Sequence, residues 1–183
     1  MIRAMIQMIL AAMKARDIPL FVDKVRARGH VLAELFGPDG ALEQRQEIHN
    51  LVTDVGDNYL ASLAYGTAGW TYRMKTGSAS TAATKNGAGS FPAVADYNAG
   101  SAHAMDATYP KVGVSANISQ YKVTWAAGEN TNTIRRVGIV DNATNAGEAD
   151  ATHTMAMAVF AADIPKGADD TLAVTWTITF LGA

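Results

Sequence analysis

Residues Thr171–Phe180 read TLAVTWTITF. Apolar Leu172, Val174, Trp176, Ile178 and Phe180 alternate with Thr171, Ala173, Thr175, Thr177 and Thr179. A period of two in β-branched and aromatic residues marks a long strand with one buried face. Asp169-Asp170 ahead of it and Gly182 behind it set its ends. A strand this long and this apolar on one side needs neighbours.

Working outward, the chain supplies them. Ile118, Tyr121, Val123 and Trp125 alternate after one phase slip, within Ala116–Ala126. Gly128-Glu129-Asn130 turns the chain into Thr133–Val140, with Ile134, Val137 and Ile139 apolar. Asp141–Asp150 reads as a loop. In Thr152–Phe160, Met155, Met157 and Val159 take one face and Ala156, Ala158 and Phe160 the other. Ile164-Pro165-Lys166-Gly167 reads as the turn into the final strand. Upstream, Val31–Phe36, the turn Gly37-Pro38-Asp39-Gly40 and Ala41–Ile48 read as a hairpin, since Pro presets φ and Gly accepts the left-handed position. Thr53 or Asp54 caps a helix of about twelve residues carrying Val55, Tyr59, Leu60 and Leu63, with Gly66 placed to stop it. Trp70, Tyr72 and Met74 alternate into Gly77 as a short strand.

Residues 76–113 differ in kind, being dense in Gly, Ala, Ser, Thr and Asn without strong periodicity. A low-complexity reading makes them disordered. Phe91, Tyr97, Met105 and Tyr109 instead indicate a long loop pinned by scattered large side chains, and loops this long are usually functional or held by a partner. Strands joined by turns, with no alternation of strand and helix, predict a mainly β protein: an antiparallel β-sandwich or jelly roll with one internal helix. Trp125 and Trp176 are expected between two sheets about 10 Å apart.

The first residues, MIRAMIQMILAAMKA, place Ile2, Met5, Ile6, Ile9, Leu10 and Met13 at helical spacing, which predicts an N-terminal amphipathic helix ending before Pro19. A signal peptide lacks support here, because Gln7 interrupts the apolar core and no A-x-A site follows. A membrane-surface helix would carry a more basic polar face. A Met-rich stripe is a packing surface, used against the chain's own domain or, in the preferred reading, a neighbouring subunit. Lys24, Arg26 and Arg28 form a basic cluster facing solvent or a partner. The expected organisation is a helical arm over residues 1–28 and a sandwich domain over 29–183.

Composition bounds the function. The chain has 183 residues and a formal charge of −2, so no basic footprint points to nucleic acid. Charged residues make up 17%, below the roughly 25% usual for soluble domains. Such a surface fits one covered by neighbouring subunits, and equally a sheet protein rich in small residues. The absence of cysteine excludes disulfides, thiolate metal sites and Cys-dependent catalysis. No run of eighteen apolar residues is present, so no membrane span is expected.

The search for chemistry finds no motif. His30, His49, His103 and His153 lie far apart in sequence and form no HxH or HExxH pair. Asp141, Asp150, Asp163 and Asp169-Asp170 sit at loop and strand ends, where carboxylates form turns. No calcium loop, GxSxG elbow or Walker loop occurs, and Gly87-Ala88-Gly89 is no dinucleotide fingerprint. The expectation is a non-enzymatic chain without metal or cofactor.

One resemblance carries further. Glu47-Ile48-His49-Asn50-Leu51-Val52-Thr53-Asp54-Val55-Gly56 is similar to the E-x-x-N-x-[VI]-T-x-x-G segment of many tailed-bacteriophage virion proteins. Arg136-Val137-Gly138-Ile139-Val140 and the K-x-x-x-D-x-L-x-[VI]-x-W-x-[IV] pattern over Lys166–Ile178 match the later pieces. The resemblance covers roughly residues 31–181. Related chains often carry an acidic residue and Gly-Leu where this one has Arg136 and Gly138-Ile139, and the N-terminal helix has no counterpart. The resemblance implies a virion structural protein made in the host bacterial cytoplasm. It implies a capsid decoration, or cement, protein bridging major capsid subunits, or alternatively a tail or fibre component that reads a host receptor or glycan. The decoration role is preferred, because no fibre-like repeats or heptads are seen. Expected partners are the major capsid protein or other virion subunits and further copies of the chain, as a trimer, with neither nucleic acid nor membrane. Candidate contact residues are Ile2, Met5, Ile6, Ile9 and Met13 on the arm, and Trp70, Tyr72 and Tyr97 on the domain.

Overall fold

The computed structural model describes residues 26–63, 66, 71–82, 84–85, 101–141 and 154–181. The N-terminal helix expected over the first residues lies outside them. Among the described residues, ten strands and one helix follow in order: β1 Arg26–Phe36, β2 Leu42–His49, β3 Leu51–Val52, α1 Asp54–Leu63, β4 Tyr72–Gly77, β5 His103–Ala104, β6 Lys111–Val112, β7 Ile118–Trp125, β8 Asn132–Asp141, β9 Thr154–Lys166 and β10 Thr171–Leu181. They form two five-stranded sheets, β2-β1-β10-β7-β6 and β3-β9-β8-β4-β5. Every pairing within them is antiparallel.

The TLAVTWTITF segment is the centre of the first sheet. It pairs with β1 from Arg26↔Leu181 to Phe36↔Thr171, and with β7 from Leu172↔Trp125 to Thr179↔Ile118. Leu172, Val174, Trp176 and Ile178 are buried, while Thr171, Ala173, Thr175 and Thr177 are half-buried. The buried set joins one hydrophobic cluster with Val31, Val123 and Trp125 of the same sheet and Ile134, Val137, Ile139 and Phe160 of the other. The two sheets therefore share a single core. Trp125 and Trp176 are fully enclosed in it, as expected. At about 25 cal/mol per Å² and 150–250 Å² per aromatic, each contributes roughly 4–6 kcal/mol of transfer free energy.

The hairpin closes as its turn residues require. Gly40 has φ +77° and donates its N–H to the Gly37 carbonyl at 2.9 Å, and Asp39 Oδ1 accepts from Ala41 N at 2.9 Å. β1 starts at Arg26, so residues 26–28, expected in the arm, pair within the sheet instead.

The crossing from the first sheet to the second takes one residue, Asn50, between β2 and β3. Thr53 then caps α1: its Oγ1 accepts from Gly56 N at 3.0 Å and donates to the Thr154 carbonyl at 2.6 Å. Gly56 lies against β9 so closely that a Cβ there would overlap the Met155 carbonyl oxygen. The spacing of Asn50, Thr53 and Gly56 is thus the seat of a helix on a strand. Asp54 and Asp57 occupy the first turn of α1, where the helix dipole favours negative charge.

Two sequence expectations are corrected. Ile164, Pro165 and Lys166 are not turn but the end of β9, and the turn is Gly167–Asp170, closed by Gly167 N donating to Asp170 Oδ2 at 2.7 Å. A register shift between Ile134 and Arg136 of β8, opposite the exposed run Ala161-Ala162-Asp163, breaks the alternation. Pro165 is tolerated because, among the described residues, no strand pairs with β9 on its other side at that point. There, Gln46 instead bonds the β9 backbone in both directions, Nε2 to Ala162 O at 2.9 Å and Oε1 from Ala162 N at 3.1 Å, and Gln44 Nε2 donates to Asp163 O. Second, the 76–113 stretch contains the strands β5 and β6, each too short at two residues to leave a periodic signal.

Buried cations tie loops to the second sheet. Arg136, fully buried, donates through Nε to Ala79 O at 2.7 Å and through Nη2 to Thr81 O at 2.9 Å. Lys166 Nζ donates to Ala126 O at 3.0 Å. Burial holds the Lys166 amine below the usual lysine range, with Asp170 and Glu129 acting the other way.

Candidate interaction surface

The residues on the outer side of β1, β10 and β7 make a mostly uncharged face. Register-paired residues share a face, so Leu32, Thr175 and Lys122 form one row, and His30, Thr177 and Gln120 the next. Glu34, Ala173 and Thr124 form a third. All nine are half-buried. Threonine here satisfies two demands: its β-branch suits a strand, and its hydroxyl suits an interface that is wet or polar. Glu34 and Lys122 are its charged members, and further charge lies at the margins. On one side Glu47 meets His30 Nε2 at 3.4 Å and pairs with Arg45, while Arg45 Nε lies 4.0 Å from Glu34. On the other side Asp106 accepts from Thr124 N at 2.8 Å and Thr124 Oγ1 at 2.7 Å, fastening the 101–110 segment to β7. Large apolar residues that stand exposed are at the ends of the first sheet: Leu42 on β2 and Val112 and Val114 on and after β6.

Of the candidate contact residues, Ile2, Met5, Ile6, Ile9, Met13, Trp70 and Tyr97 lie outside the described residues. Tyr72 is described, and it is not an exposed platform. Its ring is half-buried edge-on to Tyr121, with centroids 5.2 Å apart, and to Tyr59 at 6.1 Å. Its hydroxyl lies 2.8 Å from the Tyr59 hydroxyl. Burial first, then the hydrogen bond to Tyr59, pushes the Tyr72 phenol well above the usual tyrosine range, and burial raises Tyr121.

The histidines divide. Antiparallel pairing sets His30 opposite His49, their rings 6.3 Å apart, although they are far apart in sequence. Counting outward from the Pro38-Asp39 turn sets His30 opposite Glu47, and the irregularity between Leu35 and Phe36 moves its partner to His49. His103 lies against Trp125 and 3.6 Å from Glu129, and His153 is outside the described residues. Among the described residues no group of three or more His, Cys, Asp or Glu is placed to hold a metal ion, and no helix is long and apolar enough to cross a membrane.

Comparison with protein-family models, with curated proteins and with solved structures finds no match for the chain.

Proposed function

We propose that the chain is a non-enzymatic structural subunit of a tailed-phage virion, most specifically a capsid decoration protein that bridges major capsid subunits. Its architecture in this reading is a plain two-layer β-sandwich rather than a jelly roll, because β1–β2 and β8–β9 are hairpins that keep consecutive strands in one sheet. The observation that carries the reading is the sequence resemblance, whose three motifs fall on the helix seat at Thr53–Gly56, on β8 and on the Lys166–Ile178 turn and strand. The half-buried threonine face of the first sheet supports it, since a broad polar surface with few charges suits contact with several neighbours. A stable contact needs about 800 Å² from each partner. The engaged hydroxyl and packed ring of Tyr72 weigh against the receptor-reading alternative, which needs aromatic side chains free to stack on a ligand.

The test is addition of the purified full chain to empty phage shells, followed by sedimentation and electron microscopy. Regular, saturable density on the head is expected, lost or weakened when residues 1–17 are deleted while the circular dichroism of the domain persists. Absence of the full chain from heads, or its location on the tail, overturns the decoration reading. Full occupancy by the truncated chain overturns the role of the arm.

A further inference from the structure

A cleft of about 330 Å³ opens where β1 begins and β2 ends, lined by Ala27, Arg28, Gly29, His49 and Asn50. Its size is at the small end of ligand sites. Two of its residues carry unused hydrogen-bonding capacity. Arg28 is exposed, and among the described residues it has no carboxylate partner, whereas Arg45 and Arg135 are ion-paired and Arg136 is bonded to carbonyls. Asn50 is held at its backbone by donation to Gly29 O at 3.2 Å, yet both atoms of its side-chain amide are buried with no hydrogen-bond partner. Buried amides are rarely left unpaired. The amide rests where a side chain on residue 29 would be, since a Cβ at Gly29 would overlap it. Because neither amide atom is bonded in that position, rotating it into the cleft breaks no hydrogen bond and offers the cleft one donor and one acceptor.

We propose that this cleft binds an acidic peptide segment of a partner protein. Arg28 takes the carboxylate through its planar fork, the geometry that favours bidentate pairing. Asn50 swings out to take a backbone amide, Nδ2 donating to the carbonyl and Oδ1 accepting from the N–H. His49 forms the remaining polar wall. A nucleotide would also present an anion and an amide-like edge, but among the described residues the cleft offers no Phe, Tyr or Trp on which a base would stack. The assignment stands apart from the virion reading, and either can fail without the other.

The test is a titration of the isotope-labelled full chain followed by NMR. The probes are the capped tripeptide acetyl-Gly-Asp-Gly-amide, its Gly-Asn-Gly counterpart, sodium acetate and adenosine monophosphate. The acidic tripeptide is expected to give saturable shifts at the Gly29 amide and the Asn50 side-chain NH₂, with Kd in the millimolar range. Arg28→Gln, at an exposed position, is expected to weaken it about tenfold or more, the loss of one charge-assisted bidentate contact. Binding by the acidic tripeptide that leaves the Asn50 NH₂ signals unmoved, or equal binding by acetate, overturns the role given to Asn50. Equal binding by the Gly-Asn-Gly peptide overturns the role of the carboxylate. Tighter binding of adenosine monophosphate overturns the peptide assignment. No saturable shift at Gly29, or no loss in Arg28→Gln, overturns the site.

Discussion

Replacing Gly56 by alanine tests how α1 is seated. In an open helix interior the change would stabilise by about 1 kcal/mol, the difference in helix propensity. Here the new Cβ would meet the Met155 carbonyl and approach Val52 Cγ1 at 2.9 Å, inside the 3.0 Å that real Cβ contacts respect. The obstructing atom is backbone of β9, so no rotamer change relieves it. The helix must lift, and lifting stretches the Thr53 bonds to Thr154 and Met155 that fix its first turn. Overpacking of this kind costs about 1–3 kcal/mol. With the upper figure appropriate to a rigid obstacle, the net effect is about 2 kcal/mol of destabilisation after the propensity gain. For a chain of this size that lowers Tm by about 4–8 °C. The assay is thermal unfolding by circular dichroism, with exposed Asn58→Ala on the same helix as the control, expected unchanged or slightly stabilised. A Gly56→Ala protein as stable as the parent, or more so, refutes the close seat of α1 on β9.

Two further outcomes follow from the core. Trp125 Nε1 donates to Ser101 O at 3.0 Å, whereas Trp176 Nε1 is buried without a partner. Both lose similar volume on replacement by phenylalanine, so urea unfolding should find Trp125→Phe the more destabilising by about 1–3 kcal/mol, the cost of leaving a buried carbonyl unpaired; equal losses would contradict the bond. The folded pKa values of Tyr72 and Tyr121 lie above the ordinary 10.0. Above pH 10 the unfolded chain therefore loses protons that the folded chain keeps, and stability present below that pH declines as pH rises. Tyr72→Phe should make the decline shallower in denaturant titrations between about pH 9 and 11; an unchanged slope would show that the Tyr72 proton is not the one linked to folding.

What the sequence reveals is what local chemistry controls. The alternation in Thr171–Phe180 and the Gly37–Gly40 turn belong to single strands and single turns, and both place their elements to within a few residues. The end of β9 is hidden because the bulge opposite Arg136 resets the alternation, and Pro165 looks like a turn residue until its unpaired side is known. The His30–His49 pairing follows from hairpin register, which is legible, but needs the bulge between Leu35 and Phe36 to be placed. The Arg28–Asn50 cleft is not legible at all. It depends on Gly29 leaving room for an amide from beyond the next strand, a relation between residues that share no periodicity.

The pairing of β1 with β10 also has a mechanical meaning. Force applied to the chain ahead of Arg26 enters a strand bonded to β2 on one side and to β10 on the other. If the domain is held at Thr171, the end of β10 beside Phe36, the load shears β1 along β10 and is shared by all their cross-strand bonds at once. If the pull is taken up at Leu181, beside Arg26, the same strands unzip pair by pair. The fold therefore resists traction strongly in one direction and yields in the other.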